Sequence, residues 1–115
     1  MATYYHNPKC SKSRQGLEIL EQAGFSFKIK EYLKEPMTTS ELEDLFFKLK
    51  KTPEEVIRKK EDIYKELNLK DKDLSSQEWI KIIIEYPKLL ERPILLTENQ
   101  AIIGRPVEEL SKILK

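Results

Sequence analysis

The spacing of apolar and polar residues changes period several times along this chain, and each change marks an element. Residues 2–6, Ala-Thr-Tyr-Tyr-His, read as a short strand that Asn7-Pro8 breaks. From about Ser11 a helix runs through Leu17, Leu20 and Ala23 and ends at Gly24. Phe25, Phe27 and Ile29 then alternate with Ser26, Lys28 and Lys30, the period-two signature of a strand with one buried face. Strand, helix and strand joined by short links predict a parallel pair with a right-handed crossover.

Three more helix starts follow. Thr38 with Glu41 makes a capping box, and Met37 with Leu42 can form the hydrophobic staple around it. Leu42, Leu45, Phe46 and Leu49 then share one face. Thr52-Pro53-Glu54-Glu55 is a second start, with proline at the first helical position, and it puts Arg58 on the predicted helix. Ser75 with Glu78 is a third, with Leu74 stapled to Trp79, and Pro87 limits it. Between the last two, Leu69–Ser76 is polar and reads as a loop. Ile94-Leu95-Leu96 and Ala101-Ile102-Ile103 flank the polar turn Thr97–Gln100, a hairpin. A last helix opens at Pro106, with Glu108 and Glu109 where the helix dipole favours negative charge. The order is β-α-β-α, a helical insertion at about 53–86, then β-β-α. That is an α/β fold with a mixed sheet in thioredoxin-like order, expected as one domain over residues 1–115.

Composition narrows what such a fold does. Charged residues make up 36% and apolar ones 39%, and 21 basic residues face 20 acidic ones. A net charge of +1 argues against nucleic-acid binding, which needs a basic excess or a basic face. No apolar run approaches the length of a bilayer span, since Trp79–Ile84 is short and holds Lys81. The opening Met-Ala-Thr-Tyr-Tyr runs straight into a strand, so no signal peptide is expected. One cysteine excludes an internal disulfide and points to a reducing cytoplasm, and one Cys with one His cannot build a structural zinc site.

The chemistry converges on Cys10. It sits between the broken strand and the first helical turn, where unpaired N–H groups and the helix dipole stabilise an anion. Lys12 and Arg14 add positive charge nearby. Its loop, Asn-Pro-Lys-Cys-Ser-Lys-Ser, has no apolar face in which a structural cysteine would bury. A lowered thiol pKa makes a nucleophile at neutral pH. Ser13 stands where a Cys-x-x-Cys pair needs its second cysteine, and Gly16 where a Cys-x5-Arg phosphatase loop needs arginine. Gly16 is also a poor helix residue, costing roughly 0.5–1 kcal/mol relative to alanine. With no second thiol in the chain, the resolving thiol must come from outside, and glutathione is the obvious cytoplasmic source.

Four separated motifs carry a resemblance across essentially the whole chain. They are Tyr5-His6-Asn7-Pro8-Lys9-Cys10-Ser11-Lys12-Ser13-Arg14, Arg58-Lys59, Glu91-Arg92-Pro93-Ile94 and Gly104-Arg105-Pro106. In this order they resemble the ArsC family, the glutathione- and glutaredoxin-coupled arsenate reductases, whose fold is thioredoxin-like with a helical insertion. The resemblance implies that Cys10 attacks arsenate to form a covalent adduct, and that Arg58, Arg92 and Arg105 hold the oxyanion. It implies that His6 helps keep the thiolate ionised and that Pro93 is the cis proline beside the active cysteine. Asn7 and Ser13 lie inside the first motif as supporting residues. Glutathione is then the co-substrate, glutaredoxin the partner that takes over the mixed disulfide, and arsenite the product. No bound cofactor or metal is implied, and a monomer is expected.

The arginines also make physical sense without the resemblance. A tetrahedral oxyanion meeting a thiolate needs fixed positive charge, and the arginine fork bonds two oxygens without ever deprotonating. Two other readings keep the same nucleophile or the same ancestry. One is a glutathione-dependent reductase with another substrate. The other is an Spx-type regulator that binds RNA polymerase; many of these use a Cys-x-x-Cys switch, which Ser13 removes here.

Overall fold

The computed structural model describes residues 2–114, so Met1 and Lys115, the ends of the expected 1–115 domain, lie outside the described residues. In chain order the elements are β1 (Ala2–Tyr5), α1 (Ser11–Gln22), β2 (Phe27–Lys30), α2 (Thr39–Leu49), α3 (Asp62–Glu66), α4 (Ser76–Glu85), β3 (Ile94–Leu96), β4 (Ala101–Ile103) and α5 (Ser111–Leu114). Short 3-10 turns lie at Pro53–Val56, Leu69–Asp71, Pro87–Leu89 and Val107–Leu110. The chain divides into two compact units, Met1–Glu35 with Arg92–Lys115, and Pro36–Glu91.

The first unit holds the four-stranded sheet, in the order β2-β1-β3-β4. β1 runs parallel to β2, with Tyr5 opposite Lys30, and antiparallel to β3, with Tyr5 opposite Ile94. β3 and β4 form the antiparallel hairpin, Ile94 opposite Ile103. This mixed sheet is the thioredoxin-like arrangement that the element order predicts. Its register has one consequence for the site. The chain leaving β1 after Tyr5 and the chain entering β3 before Ile94 meet at the same end of the sheet, so Cys10's loop and Arg92 start as neighbours.

The core of this unit is Ala2, Tyr4, Leu20, Leu95 and Leu110, with Leu17, Phe25, Phe27, Ile102 and Ile113 packed against it. Burying a side chain such as Leu20 or Leu95 contributes roughly 1.5–3 kcal/mol, enough to clamp α1 onto the sheet. β2 departs from the expected half-buried strand. Phe27 is only partly covered and Ile29 is 48% exposed. β2 is an edge strand, and alternation reports a two-sided strand without reporting what covers each side.

In the second unit, α2 buries Leu42, Leu45, Phe46 and Leu49, and α4 buries Trp79, Ile80 and Ile83. Both helices open with reciprocal capping boxes. Glu41 N–H donates to Thr38 Oγ1 at 3.1 Å and Thr38 N–H to Glu41 Oε1 at 3.1 Å. Ser75 and Glu78 exchange the same bonds at 3.0 and 3.2 Å. Gln77 Nε2 donates to Glu43 Oε2 at 2.9 Å and ties α4 to α2.

Three sequence expectations change here. The start at Thr52-Pro53 yields only the turn Pro53–Val56, because the next residues find backbone partners across the unit. Ile57 bridges Leu90, Arg58 N–H donates to the Leu89 carbonyl at 2.7 Å, and Glu91 N–H to the Val56 carbonyl at 2.9 Å. Arg58 therefore sits on extended chain and not on a helix. The expected loop at 69–76 begins as the turn Leu69–Asp71, with Leu69 buried. The last helix starts as the 3-10 turn Val107–Leu110, capped by Pro106, before α5.

Candidate active site

Cys10 caps the N-terminus of α1 from an extended backbone, φ −96° and ψ 122°. Its carbonyl accepts from Arg14 N–H and its own N–H donates to the Asn7 carbonyl, both at 3.0 Å. Asn7 Oδ1 accepts from Lys9 N–H at 3.0 Å, and Arg14 Nη1 donates to the Pro8 carbonyl at 2.8 Å. The loop is thus fastened on both sides of the cysteine, whose side chain stays half-buried at the head of the helix.

Burial alone would push the Cys10 thiol up. The Ser13 N–H, the Arg92 guanidinium and the Lys12 N–H outweigh it, and the thiol falls below its ordinary value of 9.0. Sequence reasoning assigned the nearby charge to Lys12 and Arg14, but both side chains are exposed and Arg14 is turned onto Pro8. The cation on the sulfur comes from Arg92, 82 residues along the chain and adjacent only through the β1–β3 pairing.

Arg105 is the second cation. Its Nε donates to the Arg92 carbonyl at 2.7 Å and its Nη2 lies 3.7 Å from Cys10 Sγ. Both arginines precede prolines in cis peptides, Arg92-Pro93 and Arg105-Pro106. Gly104 N–H donates to the Pro93 carbonyl at 2.8 Å. A Cβ on Gly104 would stand 2.9 Å from Pro93 Cγ, so glycine is what lets the two arginine-bearing segments close on each other.

His6, Asn7 and Ser13 form a buried polar knot behind the cysteine. Ser13 Oγ lies 2.7 Å from His6 Nδ1 and accepts from Asn7 N–H at 3.0 Å. Burial lowers the His6 pKa, Arg14 adds to the fall, and Glu31 only partly opposes it. The imidazole is therefore neutral near pH 7. Its polar partner in the knot is Ser13.

Arg58 belongs to the other unit. There its Nη1 pairs with Glu61 Oε2, and its Nε lies 3.7 Å from Glu91 Oε1. Glu61 was not singled out in the sequence and Glu91 entered only as the first residue of its motif, with no part assigned to it; the Ile57–Leu90 bridge that aligns Glu91 with Arg58 has no local signature. Tyr4 was also missed, although an unexplained glycine inside a helix, Gly16, is the kind of signal that marks a close approach. Among the described residues, no group of three or more His, Cys, Asp or Glu side chains could hold a metal ion, and no helix is long and apolar enough to cross a membrane.

A sulfur at a helix N-terminus, its pKa lowered by the Ser13 N–H and the Arg92 guanidinium and with Arg105 Nη2 3.7 Å away, stands where negative charge is favoured. Residues 5–113 match the model of the ArsC family. An arsenate reductase of Neisseria meningitidis is 41% identical over 96% of this chain and 95% of its own length. An uncharacterised Escherichia coli protein is 43% identical over 96% and 93%. The solved structure of an arsenate reductase from Vibrio cholerae superposes with a TM-score of 0.92 at 42% identity, covering 97% of this chain and 96% of that one.

Proposed function

Since this chain belongs to the ArsC family, we propose that it is an arsenate reductase with Cys10 as nucleophile, Arg92 and Arg105 as oxyanion holders, and glutathione with glutaredoxin as the reducing couple. The observation that carries the reading is the Cys10 sulfur at the head of α1 with the Arg92 and Arg105 guanidinium groups upon it. An arsenate anion approaching a thiolate meets like charge, and the two forks offset that repulsion while offering donors to its oxygens. Sulfur displaces one arsenate oxygen, which leaves as water, and a thiol–arsenate adduct forms. The chain holds no second cysteine, so two external thiols must supply the two electrons. Glutathione attacks the adduct, glutaredoxin takes over the mixed disulfide, and pentavalent arsenic leaves as trivalent arsenite.

Arg58 enters as a third cation on its motif alone, and His6, Asn7, Ser13 and Pro93 support the loop and its arginines. The reading treats residues 1–115 as one functional domain acting as a monomer. A single reactive thiol and a glutathione-based couple suit the cytoplasm.

The test is arsenate-dependent NADPH oxidation coupled through glutathione, glutaredoxin and glutathione reductase, with Cys10→Ser and Arg92→Ala proteins alongside. Turnover that vanishes with Cys10→Ser and falls steeply with Arg92→Ala supports the proposal. A folded protein with a reactive thiol but no turnover above the Cys10→Ser background rejects arsenate as substrate.

A further inference from the structure

We infer that Tyr4 is a positioning residue for the Cys10 nucleophile: its buried hydroxyl fastens the first turn of α1 to the central strand and keeps the Lys12 and Ser13 N–H groups aimed at the sulfur. The inference rests on the reading of Cys10 as a working thiolate and adds to it a residue outside the cysteine loop.

Tyr4 lies in β1, paired on both sides by β2 and β3, and is fully buried. Its hydroxyl donates to the Ser13 carbonyl at 2.6 Å. A carbonyl inside a helix takes its usual bond from the residue four further on, so this bond is an addition made from the sheet. Ser13 is the residue on which the site's polar contacts converge. Its N–H acts on the thiolate, its Oγ meets His6 Nδ1 and Asn7 N–H, and its carbonyl meets Tyr4. Of these, Tyr4 is the anchor furthest from the loop, on the most firmly paired strand. The phenol also stays protonated. Burial raises its pKa well above the ordinary value, against a smaller lowering by the Ser13 side chain, so the donor persists across the working pH range.

Gly16 supplies an independent observation. It lies one turn beyond Ser13 on the same buried face of α1. A Cβ there would stand 2.3 Å from the Tyr4 hydroxyl oxygen and 2.9 Å from Leu110 Cδ1. The helix thus carries its least favourable ordinary residue at the one place where the phenol passes beneath it. Tyr4 and Gly16 are two halves of one fitting, the large residue occupying what the small one leaves open.

The experiment is iodoacetamide alkylation of Cys10 as a function of pH, without arsenate or reductant, on the wild-type, Tyr4→Phe, Gly16→Ala and double-variant proteins, with thermal unfolding measured in parallel. Tyr4→Phe keeps the ring and loses only the hydroxyl. It is expected to raise the apparent thiol pKa by about half a unit, which lowers alkylation below the pKa about threefold. Gly16→Ala is expected to raise it too, and by less once Tyr4→Phe has removed the obstructing oxygen. A wild-type thiol of lowered pKa that Tyr4→Phe leaves unchanged, with only the melting temperature reduced, would make Tyr4 a core residue and nothing more. A wild-type pKa at the ordinary 9.0 would instead overturn the thiolate reading itself, and this inference with it. Should Tyr4→Phe fail to fold, the Gly16→Ala profile decides, an unchanged pKa overturning the inference.

Discussion

Arg105 reaches Cys10 Sγ with Nη2 at 3.7 Å while its Nε is spent on the Arg92 carbonyl at 2.7 Å. One nitrogen of the guanidinium is held while another is presented to the sulfur. A lysine at this position would keep the charge but could not do both, because its ammonium is a single point on a flexible stem. Charge-assisted bonds of this kind are worth about 1.5–3 kcal/mol, so Arg105→Lys is expected to lower kcat/KM for arsenate by about 10- to 100-fold. The coupled assay measures this directly. A loss below about threefold would reduce Arg105 to a diffuse charge whose geometry does not matter.

Arg92 acts on the same sulfur, and its removal should appear before any substrate is added. Arg92→Ala is expected to move the alkylation pKa of Cys10 upward, since burial, which opposes the thiolate, would remain while a main counterweight is lost. The linked effect on stability has a definite sign. A thiol whose folded pKa lies below its unfolded value contributes stability that is complete above about pH 9 and declines as pH falls through the folded pKa. Chemical denaturation of wild-type and Cys10→Ser proteins across pH 5–9 isolates that contribution. The difference between them should grow with pH, and a flat difference would contradict the lowered thiol.

Sequence legibility followed the range of the interaction. The two capping boxes, Thr38 with Glu41 and Ser75 with Glu78, span three residues each and were plain from spacing. Cys10 was legible as a helix cap because Asn7-Pro8 ends the strand just before it. What acts on Cys10 was less legible. The nearest cations in the chain, Lys12 and Arg14, have exposed side chains, and Arg92, which acts on the sulfur, arrives through strand register. Arg58 was misplaced on a helix because Pro53 signals a start, whereas the Ile57–Leu90 bridge that stops it is made by tertiary structure. Ile29 was misread for a related reason, since its alternation carries no information about whether another layer covers the sheet edge.

His6 carries a prediction that runs opposite to a catalytic cation. Burial holds its pKa below the ordinary 6.5, so the neutral ring is the stable form in the fold. Its Nδ1 faces Ser13 Oγ at 2.7 Å, so a charge on the ring would have to be carried inside the buried polar knot. A group with a depressed folded pKa contributes stability above its unfolded value and loses it as pH falls. The wild-type melting temperature should therefore drop more steeply between pH 7 and 5 than that of a His6→Asn protein, whose side chain does not titrate. Equal slopes would mean that His6 charges freely in the fold.

Arg58 gives the last prediction, because its counter-ions are already in place. Nη1 pairs with Glu61 and Nε lies 3.7 Å from Glu91, all within the helical unit. On the proposal that Arg58 helps hold arsenate, the dianion must draw the guanidinium away from carboxylates that hold it in the resting protein. Glu61→Gln keeps the size and a hydrogen-bonding oxygen while removing the charge. The paired side chains are 21% and 25% exposed, and such a pair is worth about 1 kcal/mol or less after solvent screening. The arsenate KM is then expected to fall by up to about fivefold, with kcat and the Cys10 alkylation pKa unchanged. Raising the ionic strength should narrow the gap between the two proteins, since salt weakens the wild-type pair that competes with substrate. A KM that neither Glu61→Gln nor Arg58→Ala alters, at low salt or high, would remove Arg58 from the oxyanion site and leave Arg92 and Arg105 to hold the substrate alone.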